Sequence, residues 1–254
     1  MEKIEKKKVR FGLAGKNISY SFSKGYFTKK FADLKLNDHS YENFDLQEIE
    51  DFQKIIRQKS IKGLNVTIPY KETVIPYLTE LDAKAKKIGA VNTIKISKEG
   101  VKGYNTDAYG FRKSITPFLK KQHTKALIFG TGGVSKAVAF VFKELNIPYT
   151  FVSRKPTENQ LSYQDLNTGI FKEYTILINC TPLGTYPNID LKPDIQYRYI
   201  TSEHLLFDLI YNPEKTAFLQ EGEKQGAAIC NGQRMLELQA EKAWEIWNAQ
   251  SPTQ

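Results

Sequence analysis

The stretch that most restricts the fold is Lys125-Ala126-Leu127-Ile128-Phe129 followed by Gly130-Thr131-Gly132-Gly133-Val134-Ser135-Lys136-Ala137. The apolar run has the length of a buried strand, the glycines make a tight turn, and Val138, Val141, Phe142 and Leu145 recur at helical spacing. Strand, glycine-rich turn and helix opening, in that order, begin a parallel-sheet α/β unit. This is also the setting in which a dinucleotide meets a helix N-terminus: glycine lets the backbone come close, and the free amides face the phosphates. Ser135 takes the sixth position of the pattern, where Gly or Ala is usual. Judged alone, the same residues also describe an ordinary tight strand-helix turn.

The next strand, Tyr149-Thr150-Phe151-Val152, ends at Ser153-Arg154-Lys155, with Ser153 lying 23 residues beyond Gly130. An NAD site places an acid about 20 residues on, to accept from the ribose 2′-hydroxyl. Two cations stand there instead. Arginine suits a 2′-phosphate as a planar fork and lysine as a point charge, so NADP(H) is the expected cofactor. Further strands are expected at residues 175–179, 205–209 and 227–229. Open parallel sheets bind ligands at the carboxyl ends of their strands, which makes residues 179–184 and 208–211 candidates to line the cofactor crevice.

The N-terminal half carries a different signal. In Gly63-Leu64-Asn65-Val66-Thr67-Ile68-Pro69-Tyr70-Lys71, the apolar Ile61, Leu64, Val66 and Ile68 read as a short strand ended by Pro69. Asn65 and Thr67 alternate with them and share one face, and Lys71 follows at an expected helix start. The pair fits either an edge strand with a wet face or a ligand site. A lysine placed there can serve as a proton donor or an orienting cation. Upstream, Ser21 and Ser23 precede a helical pattern through Tyr26, Phe27, Phe31 and Leu34, so they are either helix caps or a carboxylate site at a helix N-terminus. The pattern gives a strand at residues 39–44, a helix at 46–57, and another strand at 88–94 carrying Asn92. Asp107, just ahead of Tyr109, Phe111 and Ile115, is either a helix N-cap or the carboxylate that a working Lys71 needs. The last helix bears Leu236, Ala240, Ala243 and Trp247 on one face, with Gln239 beside it.

Composition narrows the class. A chain of 254 residues with 41% hydrophobic and 26% charged residues reads as a water-soluble globular protein of one large or two ordinary domains. No apolar run reaches membrane-span length, and residues 1–10 are too charged for a signal peptide, which together point to the cytoplasm. Two cysteines, Cys180 and Cys230, and three scattered histidines provide no disulfide framework and no metal-ligand spacing, so no metal is expected. Of the net charge of +9, residues 1–10 contribute +3 and the rest is dispersed. A dispersed excess of lysine without a nucleic-acid-binding motif favours small anionic ligands over nucleic acid.

Taken together these motifs resemble the shikimate dehydrogenase family, in family order from Gly15 to Trp247. Ser21-Phe22-Ser23 is similar to its Ser-x-Ser, and residues 65–71 to its Asn-Val-Thr-x-Pro-x-Lys. Gly89-Ala90-Val91-Asn92-Thr93, Asn105-Thr106-Asp107 and Asn179-Cys180-Thr181-Pro182-Leu183-Gly184 resemble further motifs, as do Tyr211, Gly232 and Gln239 at the end. Tyr20 and Lys24 depart from the family's usual His and Pro. The resemblance implies reversible NADPH-dependent reduction of 3-dehydroshikimate to shikimate. It makes Lys71 catalytic with Asp107 as its partner, and Ser21, Ser23, Asn65, Thr67, Asn92, Tyr211 and Gln239 substrate contacts. Gly130, Thr131, Gly132, Gly133, Val134, Ser153, Arg154, Lys155, Thr181, Leu209 and Gly232 would hold the cofactor. The implied architecture is a two-domain α/β protein: a substrate domain with a parallel-rich sheet at residues 1–107 with 232–254, and a Rossmann-like NADP domain at 108–231. The expected partner is a small-molecule substrate, and the protein itself a monomer or homodimer. Rival readings are an NAD-dependent quinate/shikimate dehydrogenase, a dinucleotide sensor without turnover, and a basic nucleic-acid binder.

Overall fold

The structure is a computed structural model that describes residues 8–18 and 21–249. The charged residues 1–7, and Ser19 and Tyr20 of the first loop, lie outside the described residues. The chain divides into two compact units, one running to Thr106 and resuming at Gln239, the other from Asp107 to Leu238.

The first unit comprises β1 (Val9–Gly15), α1 (Phe22–Asp33), β2 (His39–Asp45), α2 (Phe52–Ile56), β3 (Ile61–Val66), β4 (Glu80–Leu81), α3 (Ala83–Ile88), β5 (Thr93–Ser97) and β6 (Gly100–Tyr104). Its sheet has the order β2-β1-β3-β5-β6-β4. β1 runs parallel to β2 and β3, whereas β5 is antiparallel to both β3 and β6. Alternation along β1 and β3 divides the core. Ala14, Ile61, Leu64 and Val66 pack with Phe52, Ile55 and Val74 in one cluster. Phe11 and Leu13 pack with Phe27, Phe31, Tyr41, Ala243 and Trp247 in another. Register sets Ala14 beside Val66 and Asn65 opposite Thr93, so the chain leaves β1 and β3 at the same edge.

The second unit holds α4 (Asp107–Ile115), β7 (Ala126–Phe129), α5 (Gly133–Glu144), β8 (Tyr149–Val152), α6 (Thr168–Glu173), β9 (Ile176–Asn179), β10 (Leu205–Asp208), α7 (Ala217–Lys224) and β11 (Ala228–Cys230). A last helix, α8 (Gln233–Asn248), carries the boundary between the units. The sheet order is β11-β10-β9-β7-β8, all parallel. β7, β9 and β10 are buried at every position, as strands covered on both faces must be. Phe129 pairs with Val152 and Asn179, and Asn179 with Asp208. Gly130, Ser153, Cys180 and Leu209 therefore all follow strand ends that lie level along one sheet edge. The order reverses between β7 and β9, which is the topological switch point of an open sheet.

Several elements differ from the expectation drawn from sequence. β3 is an interior strand, so the edge-strand reading of Asn65 and Thr67 is overturned. It stops at Val66, and Ile68 is 71% exposed, on a cis Ile68–Pro69 bond in the turn that follows. Lys71 sits in a run of turns rather than at a helix start. The strand expected at 88–94 begins only at Thr93, because α3 runs on through Ile88. Gly89, in the left-handed region at φ 73°, ends that helix, and Asn92 falls in the link before β5. The expected helix at 46–57 shrinks to a 3₁₀ turn and five residues of α2.

Candidate active site

In the first unit two of the predicted polar residues, Asn65 and Asn92, join one hydrogen-bonded chain with Tyr41, Thr93 and Thr106. Ser21 is the N-cap of α1, its hydroxyl accepting from the Lys24 amide at 3.4 Å. Ser23 lies inside the first turn, and its side chain favours the ionised Tyr41 phenol against the larger opposing effect of burial. Tyr41 donates to Asn65 Oδ1 at 2.8 Å. Asn65 Nδ2 faces the Asn92 carbonyl at 3.3 Å and Thr93 Oγ1 at 3.2 Å, the second contact following from the β3–β5 pairing. Asn92 is buried and closes the chain: its Oδ1 accepts from the Thr106 amide at 2.7 Å and its Nδ2 donates to Thr106 Oγ1 at 3.0 Å. Every buried polar group in this run has a partner, which low-dielectric surroundings require.

Thr67 follows β3, its amide donating to the Ala14 carbonyl at 2.9 Å and its methyl lying against Gly15. Lys71 is half-buried, and its backbone carbonyl accepts from Val91 at 2.7 Å, tying the lysine's turn to the segment before Asn92. Gln239 is half-buried on α8. Sequence reasoning did not mark Tyr41, Thr93 or Thr106 as site residues. The last two lie inside quoted motifs, which was the available signal. Tyr41 had none, because its partner comes from β3.

In the second unit Gly130 stands in the left-handed region at φ 97°, and an added Cβ there would lie 3.2 Å from the Thr181 methyl. At Gly132, the N-cap of α5, an added Cβ would meet nothing within 4 Å, and no side chain caps the helix. Thr131 is exposed; Gly133 and Val134 open the helix. Ser135 is wholly buried and turns its hydroxyl onto the Gly132 carbonyl at 2.7 Å, so serine at the sixth position satisfies itself within the first turn. Past β8, the Ser153 hydroxyl accepts from the Lys155 amide at 3.2 Å, while Arg154 and Lys155 are exposed.

The neighbouring strand ends are held by a buried carboxylate. Asp208 accepts from Asn179 Nδ2 at 3.1 Å, the Ile210 amide at 3.0 Å and the Thr216 hydroxyl at 2.6 Å. Burial nonetheless outweighs these donors and pushes its carboxyl up to about 6. Asn179 Oδ1 in turn accepts from the Thr181 amide and hydroxyl, at 3.0 and 2.6 Å. Leu209 and Tyr211 follow β10, half-buried, and Gly232 donates its amide to the Ile210 carbonyl at 3.0 Å. Asp107 is 1% exposed at the first position of α4. Burial raises both thiols, Cys180 well up and Cys230 to about 11, which leaves neither poised as a nucleophile. Among the described residues no cluster of three or more His, Cys, Asp or Glu is arranged to hold a metal, and no helix is long and apolar enough to cross a membrane.

A family model for the shikimate dehydrogenase substrate binding domain matches residues 13–94. A shikimate dehydrogenase (NADP(+)) of Methanosphaera stadtmanae is 36% identical over 262 residues, covering 95% of this chain and 92% of that one. Its counterpart in Clostridium botulinum is 37% identical, covering 93% and 95%. Among solved structures, shikimate 5-dehydrogenase of Thermus thermophilus in complex with NADP(H) and shikimate superposes with a TM-score of 0.83 at 26% identity, covering 96% of this chain and 95% of that one.

Proposed function

The chain belongs to the shikimate dehydrogenase family, and from that premise we propose that it catalyses the reversible NADPH-dependent reduction of 3-dehydroshikimate to shikimate, a step towards aromatic amino acids. The near full-length likeness carries this reading. We place the enzyme in the cytoplasm, as a monomer or homodimer.

The residues fit the cofactor. Open space at Gly132 and uncapped amides at the start of α5 suit a pyrophosphate, and Gly130, Thr131, Gly133 and Val134 complete the turn. Ser153, Arg154 and Lys155 would take the 2′-phosphate side, with Thr181, Leu209 and Gly232 nearer the strand ends. When bound, NADPH supplies the hydride for the ketone carbon.

The chain's own task is the proton and the substrate's orientation. As hydride arrives, the ketone oxygen gains charge and needs a donor already in place; Lys71 is proposed for that role and Asp107 as the second acid-base residue. Ser21, Ser23, Asn65, Thr67, Asn92, Tyr211 and Gln239 are proposed to hold the carboxylate and hydroxyls. A site of such groups discriminates strongly, since an analogue lacking one hydroxyl leaves a buried partner unpaired.

Initial rates at 340 nm with shikimate or quinate, each with NADP or NAD, test the proposal. Turnover confined to shikimate with NADP is expected. Comparable rates with NAD or quinate make it the dual-specificity enzyme, and cofactor binding without turnover makes it a sensor. Lys71→Ala is expected to lower kcat by roughly two orders of magnitude or more with little change in KM, the size of a general-acid contribution. A near-normal kcat removes lysine from the mechanism.

A further inference from the structure

We propose that Tyr41 is a positioning residue for substrate recognition: its hydroxyl, with the Asn92 carbonyl, holds the Asn65 amide so that the oxygen end keeps one acceptor position for a substrate hydroxyl. The inference rests on the assignment of Asn65 as a substrate contact and gives that contact a direction.

The argument is an account of hydrogen-bonding capacity. A carboxamide has two N–H donors and an oxygen with two lone pairs. Both donors of Asn65 point at protein, towards the Asn92 carbonyl at 3.3 Å and Thr93 Oγ1 at 3.2 Å. The Asn92 carbonyl can only accept, so it decides which end of the amide is nitrogen; the reversed amide would set two oxygens together. Thr93 Oγ1 donates to Asn92 Oδ1 at 3.3 Å and so meets Asn65 as an acceptor. Tyr41 takes one lone pair of Asn65 Oδ1 at 2.8 Å. One acceptor position remains, and Asn65 is only half-buried.

Tyr41 is itself fixed. It is 4% exposed on β2, where its ring stacks on Phe27 with centroids 4.7 Å apart and planes 11° from parallel. Burial raises the phenol far above its ordinary range and keeps the proton that Asn65 requires. Phenylalanine would fill the same stack, so ring packing does not account for the hydroxyl.

The test is a steady-state cycle on the full-length enzyme with Tyr41→Phe, Asn65→Ala and the double variant. Tyr41→Phe is expected to raise KM for shikimate roughly five- to tenfold, the scale of one buried hydrogen bond. KM for NADP should not change and kcat should change little. Added to Asn65→Ala, the substitution should do nothing more, since the residue through which Tyr41 acts is gone. If Asn65→Ala itself leaves KM unchanged, the underlying site assignment fails. If Asn65→Ala raises KM while Tyr41→Phe is silent or adds independently, Tyr41 is a core aromatic and this inference fails. Should Tyr41→Phe not fold, Thr93→Val removes an acceptor from the other end of the amide and carries the same expectation, with the same two ways to lose.

Discussion

At residue scale, the glycines of the site do separate jobs. Gly132 leaves room, Gly130 supplies a left-handed backbone, and Gly232 permits a close approach. An added Cβ at Gly232 would lie 2.1 Å from the Leu209 carbonyl oxygen and 2.6 Å from its carbon. Those are backbone atoms that cannot rotate aside. Gly232→Ala must therefore displace residues 209–210 or the start of α8, and is expected to cost ~1–3 kcal/mol in urea denaturation, as overpacking does. A denaturation midpoint equal to that of the parent protein would show that the segment yields freely. Single residues were legible in the sequence where a local rule fixes the type, as at Gly130 or the Ser21 cap. Tyr41 was not, because nothing near position 41 announces a hydroxyl whose partner arrives from residue 65.

At element scale, the parallel sheet was the most readable part: β7, β9 and β10 are short continuous apolar runs ending in polar or glycine residues. Misreadings gathered around Lys71 and Asn92, where turns replace regular structure and periodicity has nothing to report. The stripe on α8 illustrates the limit of pattern reading. Spacing puts Ala240, Ala243 and Trp247 on one face, but only the fold shows what covers them: Phe11, Phe27 and Tyr41. Trp247 stacks on Phe11 at 4.7 Å and donates its indole N–H to the Ile94 carbonyl at 2.9 Å, passing so close over Gly63 that a Cβ there would lie 2.2 Å from the indole nitrogen. Truncating this anchor removes a large buried ring and the hydrogen bond that it gives the Ile94 carbonyl. Trp247→Ala is expected to destabilise the first unit by ~3–5 kcal/mol, measured by hydrogen exchange at the amides of β1 and β3. Exchange rates unaltered there would mean α8 contributes little to that sheet.

At the scale of the whole molecule, the response to pH follows from where buried titratable groups lie. His123 and His204 are 5% and 3% exposed, both in the second unit. Desolvation lowers each, helped at His123 by Lys120 and opposed at both by backbone hydrogen bonds. His204 accepts from the Thr201 amide at 3.0 Å and bonds the Phe171 carbonyl through Nε2 at 2.9 Å, joining the loop before β10 to α6. A depressed histidine stabilises the fold above its ordinary value of 6.5, and that contribution is lost as pH falls towards the folded value. Asp208 runs the other way: raised from 3.8 to about 6, its contribution is complete below 3.8 and disappears as pH rises through 6. The absolute stability curve therefore mixes opposed slopes, and a comparison that leaves Asp208 in both proteins isolates the imidazole. His204→Gln is expected to be less stable than the parent by ~1–3 kcal/mol at pH 7.5, the scale of broken buried hydrogen bonds. The gap in melting temperature, followed by scanning calorimetry, should narrow steadily down to pH 5 as the parent pays to charge a buried ring that the variant lacks. A gap that holds constant or widens across that range would mean that His204 is not held neutral by the fold.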